Sequence, residues 1–222
     1  MKGTVDMVSI RVTRYDPEHG GEPTLESYQV PAEEGATVLG ALLYIYETYD
    51  STLAFSYGCR NETCGLCAMD INGEPRIACT TRLEAGMVIR PLQGLPVARD
   101  LTVDRKWVMP FLRRFDLFLP EGNVDEWPQP LTIPKQYTRL TACTECLSCL
   151  ADCPSYEHGH ADLGGPYHFV KLAQLHWDPR NKIDRRAQAA QLGISRCGKC
   201  CQCQCPVGIP IYQMAVAPLA GT

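Results

Sequence analysis

With 222 residues, 45% of them hydrophobic, the chain is long enough for two small packed domains, since single cores most often run to roughly 100–150 residues. Its formal net charge of -4 and pI near 5.7 create no broad basic field, and no Lys/Arg-rich run or Arg–aromatic stripe is present, which argues against a nucleic-acid partner. The longest apolar stretches, such as residues 38–46, fall far short of the roughly 20 residues needed to cross a bilayer, and Met1-Lys2-Gly3-Thr4 lacks the succession of a secretory signal, so a cytoplasmic or cytoplasmic-face location is expected.

In residues 7–15 and 24–30, β-formers alternate loosely with polar residues, and His19-Gly20-Gly21-Glu22-Pro23 between them has turn chemistry. This predicts a hairpin. Pro31-Ala32-Glu33-Glu34-Gly35 ends the second strand, and Thr37 is placed to cap a helix running to about Tyr49, with Val38, Leu42, Ile45 and Tyr46 on its apolar face. Short strands at residues 67–71 and 87–90, with Asn72-Gly73 as a tight turn, complete a small mixed sheet. Residues 91–137 are rich in proline and scattered aromatics, including Trp107, Phe111, Phe115, Phe118 and Trp127, and read as a connection between domains. Residues 138–222 have short helical patterns, with a turn region at residues 158–166 and no sustained strand alternation.

Thirteen cysteines are unusual for a reduced compartment, where thiols persist if buried, catalytic or held by metal. They fall in three groups: Cys59, Cys64, Cys67 and Cys79; Cys143, Cys146, Cys149 and Cys153; and Cys197, Cys200, Cys201, Cys203 and Cys205. The first group has the plant-type ferredoxin spacing of a [2Fe-2S] cluster, with four residues between Cys59 and Cys64, two between Cys64 and Cys67, and Cys79 beyond. Three thiolates on one loop wrap one side of a compact cluster and the fourth closes the far side. Gly58 and Gly65 let backbone amides approach the sulfides. Structural zinc joins two separated close pairs more often than a triplet and a distant single.

The string Gly58-Cys59-Arg60, then Cys64-Gly65-Leu66-Cys67-Ala68-Met69-Asp70-Ile71-Asn72-Gly73 and Ile77-Ala78-Cys79, resembles the iron–sulfur subunits of succinate dehydrogenases and fumarate reductases. Pro96-Val97-Ala98-Arg99-Asp100-Leu101-Thr102-Val103-Asp104 resembles the stretch leaving that family's first domain, and Glu62 stands where the family commonly has glycine. The likeness continues through Cys153-Pro154-Ser155-Tyr156, Leu163-Gly164-Gly165-Pro166 and Asp178-Pro179-Arg180-Asn181, so it spans nearly the whole chain. It implies an α+β fold: a β-grasp, plant-type ferredoxin domain over residues 1–104, then an α-helical bacterial-type ferredoxin domain over residues 105–222 that includes the connecting segment 105–137.

Cys143, Cys146, Cys149 and Cys153-Pro154 have the bacterial ferredoxin spacing of four-iron clusters, whose fourth cysteine ordinarily serves another cluster. The partner region is the third group, which also ends in Cys-Pro, at Cys205-Pro206. Proline after each final cysteine suits the first turn of a helix. The resemblance implies a [4Fe-4S] cluster on Cys143, Cys146, Cys149 and Cys205, leaving Cys153, Cys197, Cys200, Cys201 and Cys203 for a third. Two assignments stay open. The family's [3Fe-4S] cluster takes Cys153, Cys197 and Cys201, whereas Cys197, Cys200 and Cys203 with Cys153 form a four-iron spacing of their own.

No nucleotide loop or catalytic triad accompanies the cysteines, so one-electron relay is expected, with substrate chemistry elsewhere. The resemblance implies a flavoprotein partner carrying FAD on one side, and quinone at a membrane-anchor subunit on the other, placing the chain peripherally on the cytoplasmic face of the cell membrane. Quinone-reducing relatives commonly carry an aromatic run after Cys-Pro-Ser and a histidine beside a third-cluster cysteine; here Tyr156-Glu157-His158 and Gly198 take those places. The changed Cys197–Cys205 segment motivates the alternative of delivery to a cysteine-rich, non-quinone subunit, and a zinc-binding interaction protein is the alternative of another class. His158 and His160 are candidates for a quinone or proton path, or simply exposed loop histidines, while His19, His168 and His176 have no ligand spacing.

Overall fold

The strand alternation in the first third of the chain produces a hairpin and then a sheet. In a computed structural model, which describes residues 6–122, 127, 129–160, 163–200 and 202–221, β1 (Met7–Arg14) and β2 (Thr24–Pro31) pair antiparallel from Met7↔Pro31 to Arg14↔Thr24. Ile10 and Val12 on one strand, Tyr28 and Val30 on the other, are buried, as period-2 patterning requires. Helix α1 (Val38–Thr48) starts at Thr37, whose hydroxyl accepts the Gly40 N–H at 3.1 Å. Its buried face is Val38, Leu39, Ala41, Leu42 and Ile45. Tyr46 was expected on that face but is 44% exposed, its ring edge-on to Phe55 at 6.2 Å, because it lies at the margin of the stripe and carries a hydroxyl best left in water.

β3 (Ala68–Ile71) and β4 (Glu74–Ile77) turn through Asn72 and Gly73, both at positive φ. Asp70 accepts the Gly73 N–H at 3.0 Å, and Asn72 accepts the Val88 N–H at 2.8 Å. β5 (Val88–Arg90) inserts between β1, to which it is parallel, and β3, to which it is antiparallel, so the sheet order is β2-β1-β5-β3-β4. α1 packs against β2 in the β-grasp manner. The proline-rich stretch read as a connection also holds structure: β6 (Val97–Arg99) pairs with β7 (Thr102–Val103), and α2 (Val108–Arg114) follows. Its prolines hid these short elements, since proline is tolerated at strand margins and early in helices.

The chain divides into two compact units, one formed by the sequence up to Asp104 with Thr144–Ala151, the other by Arg105–Cys143 and the sequence from Asp152 onward. The first contains the sheets, α1 and the short α4 (Ser148–Ala151). The second is helical: α2, α3 (Lys135–Leu140), α5 (Pro166–Trp177), α6 (Arg185–Gln191), a 3-10 turn at Ile194–Lys199 and a π-helical segment, Tyr212–Val216, running into α7 (Ala217–Ala220). α5 is the central helix, burying Tyr167, His168, Phe169, Val170, Leu172 and Ala173. Arg185 is fully buried and donates to the carbonyls of Asp116 and Phe118 and to the side chains of Asn181 and Gln188. No helix among the described residues is long and apolar enough to cross a membrane.

Candidate metal centres

The loop carrying Cys59, Cys64 and Cys67 is anchored before it begins. Asp100, 2% exposed, accepts from the Tyr15 N–H at 2.8 Å, the Ala54 N–H at 2.8 Å and Arg14 Nε at 3.1 Å, while Leu101 N–H donates to Ala54 O at 3.1 Å. The guanidinium of Arg14 also pairs with Asp50. The end of β1, the segment entering the loop and the β6–β7 turn are thereby fixed together.

Inside the loop the backbone turns repeatedly through left-handed conformations, at Arg60 (φ 60°), Glu62 (φ 67°) and Gly65 (φ 65°). The result is a set of N–H groups aimed at sulfur. Asn61 and Cys64 donate to Cys59 Sγ at 3.4 and 3.3 Å, Cys59 donates to Cys64 Sγ at 3.4 Å, and Glu62 donates to Cys79 Sγ at 3.4 Å. Cys67 is buried beside Cys79, and its carbonyl accepts the Ala78 N–H at 3.0 Å. All four residues of the first group are therefore brought together. The Thr63 hydroxyl, then the Asn61 N–H, pull the Cys59 thiol down to about 6, while burial pushes Cys67 up to about 11.

Glu62 takes the left-handed backbone that glycine would adopt freely, so its departure from the family pattern leaves the loop path intact. A Cβ on Gly58 would lie 3.3 Å from Cys64 Sγ, in keeping with close approach to the cluster. Gly65 has a different reason. Its missing side chain admits the Thr144–Cys146 segment, since a Cβ there would meet Thr144 O at 2.6 Å and Cys146 Cβ at 2.8 Å.

These features fit an iron–sulfur cluster: sulfur-only donors, inward N–H groups to stabilise negative charge, and glycine where sulfur approaches backbone. Among the described residues, no three Cys, His, Asp or Glu side chains converge as they would on one ion. A two-iron cluster instead spreads four thiolates over two metal ions.

Cys146 and Cys149 of the second group belong to the first unit, Cys143 and Cys205 to the second. Left-handed Glu145 and Leu147 alternate with Cys146 in a tightly wound segment, and Cys146 Sγ donates to buried Ser148 Oγ at 3.4 Å. In the second unit, Arg139 donates to Gly208 O at 2.5 Å, tying the end of α3, just before Cys143, to the turn after Cys205-Pro206.

Cys153 of the second group shares one neighbourhood with Cys197 and Cys200 of the third. Burial raises the Cys153 and Cys197 thiols, Cys197 to about 11, and the charges of the neighbouring thiolates add to it. Cys203 is half-buried, and Cys201 lies outside the described residues. Arg196, not singled out from the sequence, staples the group: it donates to Ser155 O at 3.0 Å, Gly164 O at 3.1 Å and Gly193 O at 3.3 Å. Its position next to Cys197 was the available signal.

His158 is no free loop histidine. Its ring is edge-on to Trp107 at 4.8 Å, its Nδ1 is buried without a partner, and it lines a cavity of about 270 Å³ with Trp107, Phe111, Arg114, Tyr156 and His160. His160 is exposed and 3.3 Å from Glu157.

A family model of the 2Fe-2S iron-sulfur cluster binding domain matches residues 9–110. The fumarate reductase iron-sulfur subunit of Mycobacterium tuberculosis is 33% identical over 92% of this chain and 88% of its own length. A fumarate reductase (CoM/CoB) subunit from Methanothermobacter marburgensis is 35% identical over 96% of this chain but only 44% of its own. This chain spans less than half the length of that and similar archaeal relatives. Among solved structures, a chain of the Mycobacterium smegmatis Sdh1 complex superposes with a TM-score of 0.81 at 27% identity, covering 98% of this chain and 95% of that one. Sequence likeness to the mycobacterial subunit along nearly all of both chains, with the cluster-binding domain at the expected place, makes this chain a member of the family of fumarate reductase and succinate dehydrogenase iron–sulfur subunits.

Proposed function

We propose that the chain is an electron-transfer subunit, relaying single electrons between a flavoprotein that interconverts succinate and fumarate and quinone at a membrane-anchor subunit. Cys59, Cys64, Cys67 and Cys79 hold a [2Fe-2S] cluster; Cys143, Cys146, Cys149 and Cys205 hold a [4Fe-4S] cluster; Cys153 holds the third together with Cys197 and Cys201, or with Cys197, Cys200 and Cys203. When bound, such clusters supply reversible one-electron oxidation and reduction. The protein's own residues set the conditions. N–H groups of Asn61, Glu62 and Cys64 stabilise negative charge on cysteine sulfur, and buried Cys67 and Cys79 limit water at one side of the site. FAD resides on the partner, and membrane association at the cytoplasmic face runs through the anchor.

The observation that carries this reading is the convergence of the first-group sulfurs on inward N–H donors in a loop of unusual backbone. Anaerobic purification with iron, acid-labile sulfide and visible-absorbance measurements tests it. Coloured protein with matching iron and sulfide, bleached by stepwise reduction, is expected; a colourless protein, or one carrying zinc without sulfide, refutes it.

A second reading is favoured by Glu157 and His158 where quinone-reducing relatives have aromatics, and by the CoM/CoB relative more than twice this length. In this second reading the acceptor end meets a cysteine-rich, non-quinone partner. Copurification with a membrane-spanning subunit and quinone-dependent turnover supports the first reading; a cysteine-rich partner without quinone turnover supports the second.

A further inference from the structure

Five cysteines remain for the third cluster after the first two are assigned, and the local backbone sorts them. Cys197 lies in the 3-10 turn Ile194–Lys199, and Cys200 directly follows it, its N–H donating to Cys197 O at 3.1 Å. In a 3-10 turn, side chains three residues apart eclipse. Cys197 and Cys200 therefore project from the same side of the turn.

Cys153 joins them from a different part of the chain. Arg196, between Gly193 and Cys197, donates to the carbonyl of Ser155, so the Cys153-Pro154-Ser155 segment is clamped to the 3-10 turn. The clamp brings the segment of Cys153 to the turn that carries Cys197 and Cys200, and Cys203 follows two intervening residues after Cys200.

We propose that the third centre is a four-iron cluster held by Cys153, Cys197, Cys200 and Cys203. This rests on the relay reading and refines its third station. A four-iron cube presents four corners and takes one thiolate at each, whereas a three-iron cluster lacks the iron at one corner and takes three. The 3-10 turn supplies Cys197 and Cys200 side by side, the spacing extends the series to Cys203, and the Arg196 clamp delivers the remote Cys153. A three-thiolate set that omitted Cys200 would leave its sulfur on the ligand side of the turn with only the exposed Gln202 side chain, 4.0 Å away, as a partner among the described residues.

The test uses the full chain in its native complex, purified anaerobically and reconstituted with ferrous iron and sulfide under reducing conditions. After mild oxidation, low-temperature electron paramagnetic resonance and iron analysis are recorded together. The native protein is expected to show no three-iron signal. Cys200→Ala is expected to gain that signal at about one spin per chain and lose one iron per chain, with the first cluster's reduced signal unchanged. Cys201→Ala is expected to match the native protein. A stoichiometric three-iron signal in reconstituted native protein, or its appearance in Cys201→Ala in place of Cys200→Ala, overturns the proposal while leaving the relay standing. Absence of all iron overturns the relay itself.

Discussion

His168 offers a quantitative test of the second unit, because its buried ring is packed against four aromatic side chains. It is 0% exposed on α5, 3.9 Å from the ring of Phe111 and about 5–6 Å from those of Tyr156, Tyr167 and Trp107. Its Nδ1 accepts the Gly165 N–H at 3.0 Å, and its buried Nε2 has no partner to share a proton. Burial lowers its pKa from 6.5 to about 3. The fold selects neutral imidazole, so this stabilisation is complete above pH 6.5 and is lost as pH falls from there toward and through about 3. The loss accumulates between pH 6.5 and about 3 and amounts to roughly 3 kcal/mol at pH ~4.5. His168→Gln keeps an acceptor for the Gly165 N–H, as in a capping box, without a group that titrates in this range. All three tryptophans, Trp107, Trp127 and Trp177, follow Asp104, so their fluorescence in anaerobic guanidinium unfolding reports on the second unit. Between pH 7.5 and 4.5, native protein is expected to lose roughly 3 kcal/mol more than the variant, with acid effects on the clusters common to both. Parallel profiles would refute the assignment of His168 as a buried neutral base.

Replacing Glu62 by glycine removes a left-handed strain of about 1 kcal/mol yet keeps the N–H that faces Cys79; the two-iron absorbance is expected to survive to higher urea, and Glu62→Val to lower urea, with the opposite order counting against the loop geometry. Gly65→Ala adds a Cβ 2.6 Å from Thr144 O at a positive φ; a loss of about 2–4 kcal/mol in urea unfolding is expected, and near-native stability would mean the Thr144–Cys146 segment is not seated there. Arg185→Met leaves the carbonyls of Asp116 and Phe118 without their buried donor, at a cost of about 2–5 kcal/mol by tryptophan fluorescence; a change below about 1 kcal/mol would show that water reaches them.

The sequence made the first unit readable where local rules dominate. The β1–β2 hairpin follows from alternation, α1 from Thr37 and an apolar stripe, and the β3–β4 turn from Asn72-Gly73. Mixed pairing was less visible, because β5 lies between β1 and β3 through contacts remote in sequence. The short β6, β7 and α2 were hidden by proline-rich composition. His168 showed no ligand pattern because its role is set by rings brought together in space, and Arg196 looked like one more surface charge until its three carbonyl partners were assembled.

The cysteine loops show why spacing reveals some ligands better than others. At the first group, the proposed two-iron cluster uses all four cysteines, and the residues between them need only supply the backbone path. Glu62 demonstrates the latitude: a side chain is accepted at positive φ for about 1 kcal/mol because the requirement is the direction of its N–H. Gly65 marks the limit, since there a side chain would strike the Thr144 backbone. At the third group the cysteines outnumber the corners available, so spacing alone cannot choose among them. In the proposed four-iron assignment the choice passes to the 3-10 turn, which points residues three apart in one direction, and to Arg196, which ties the Ser155 segment to that turn.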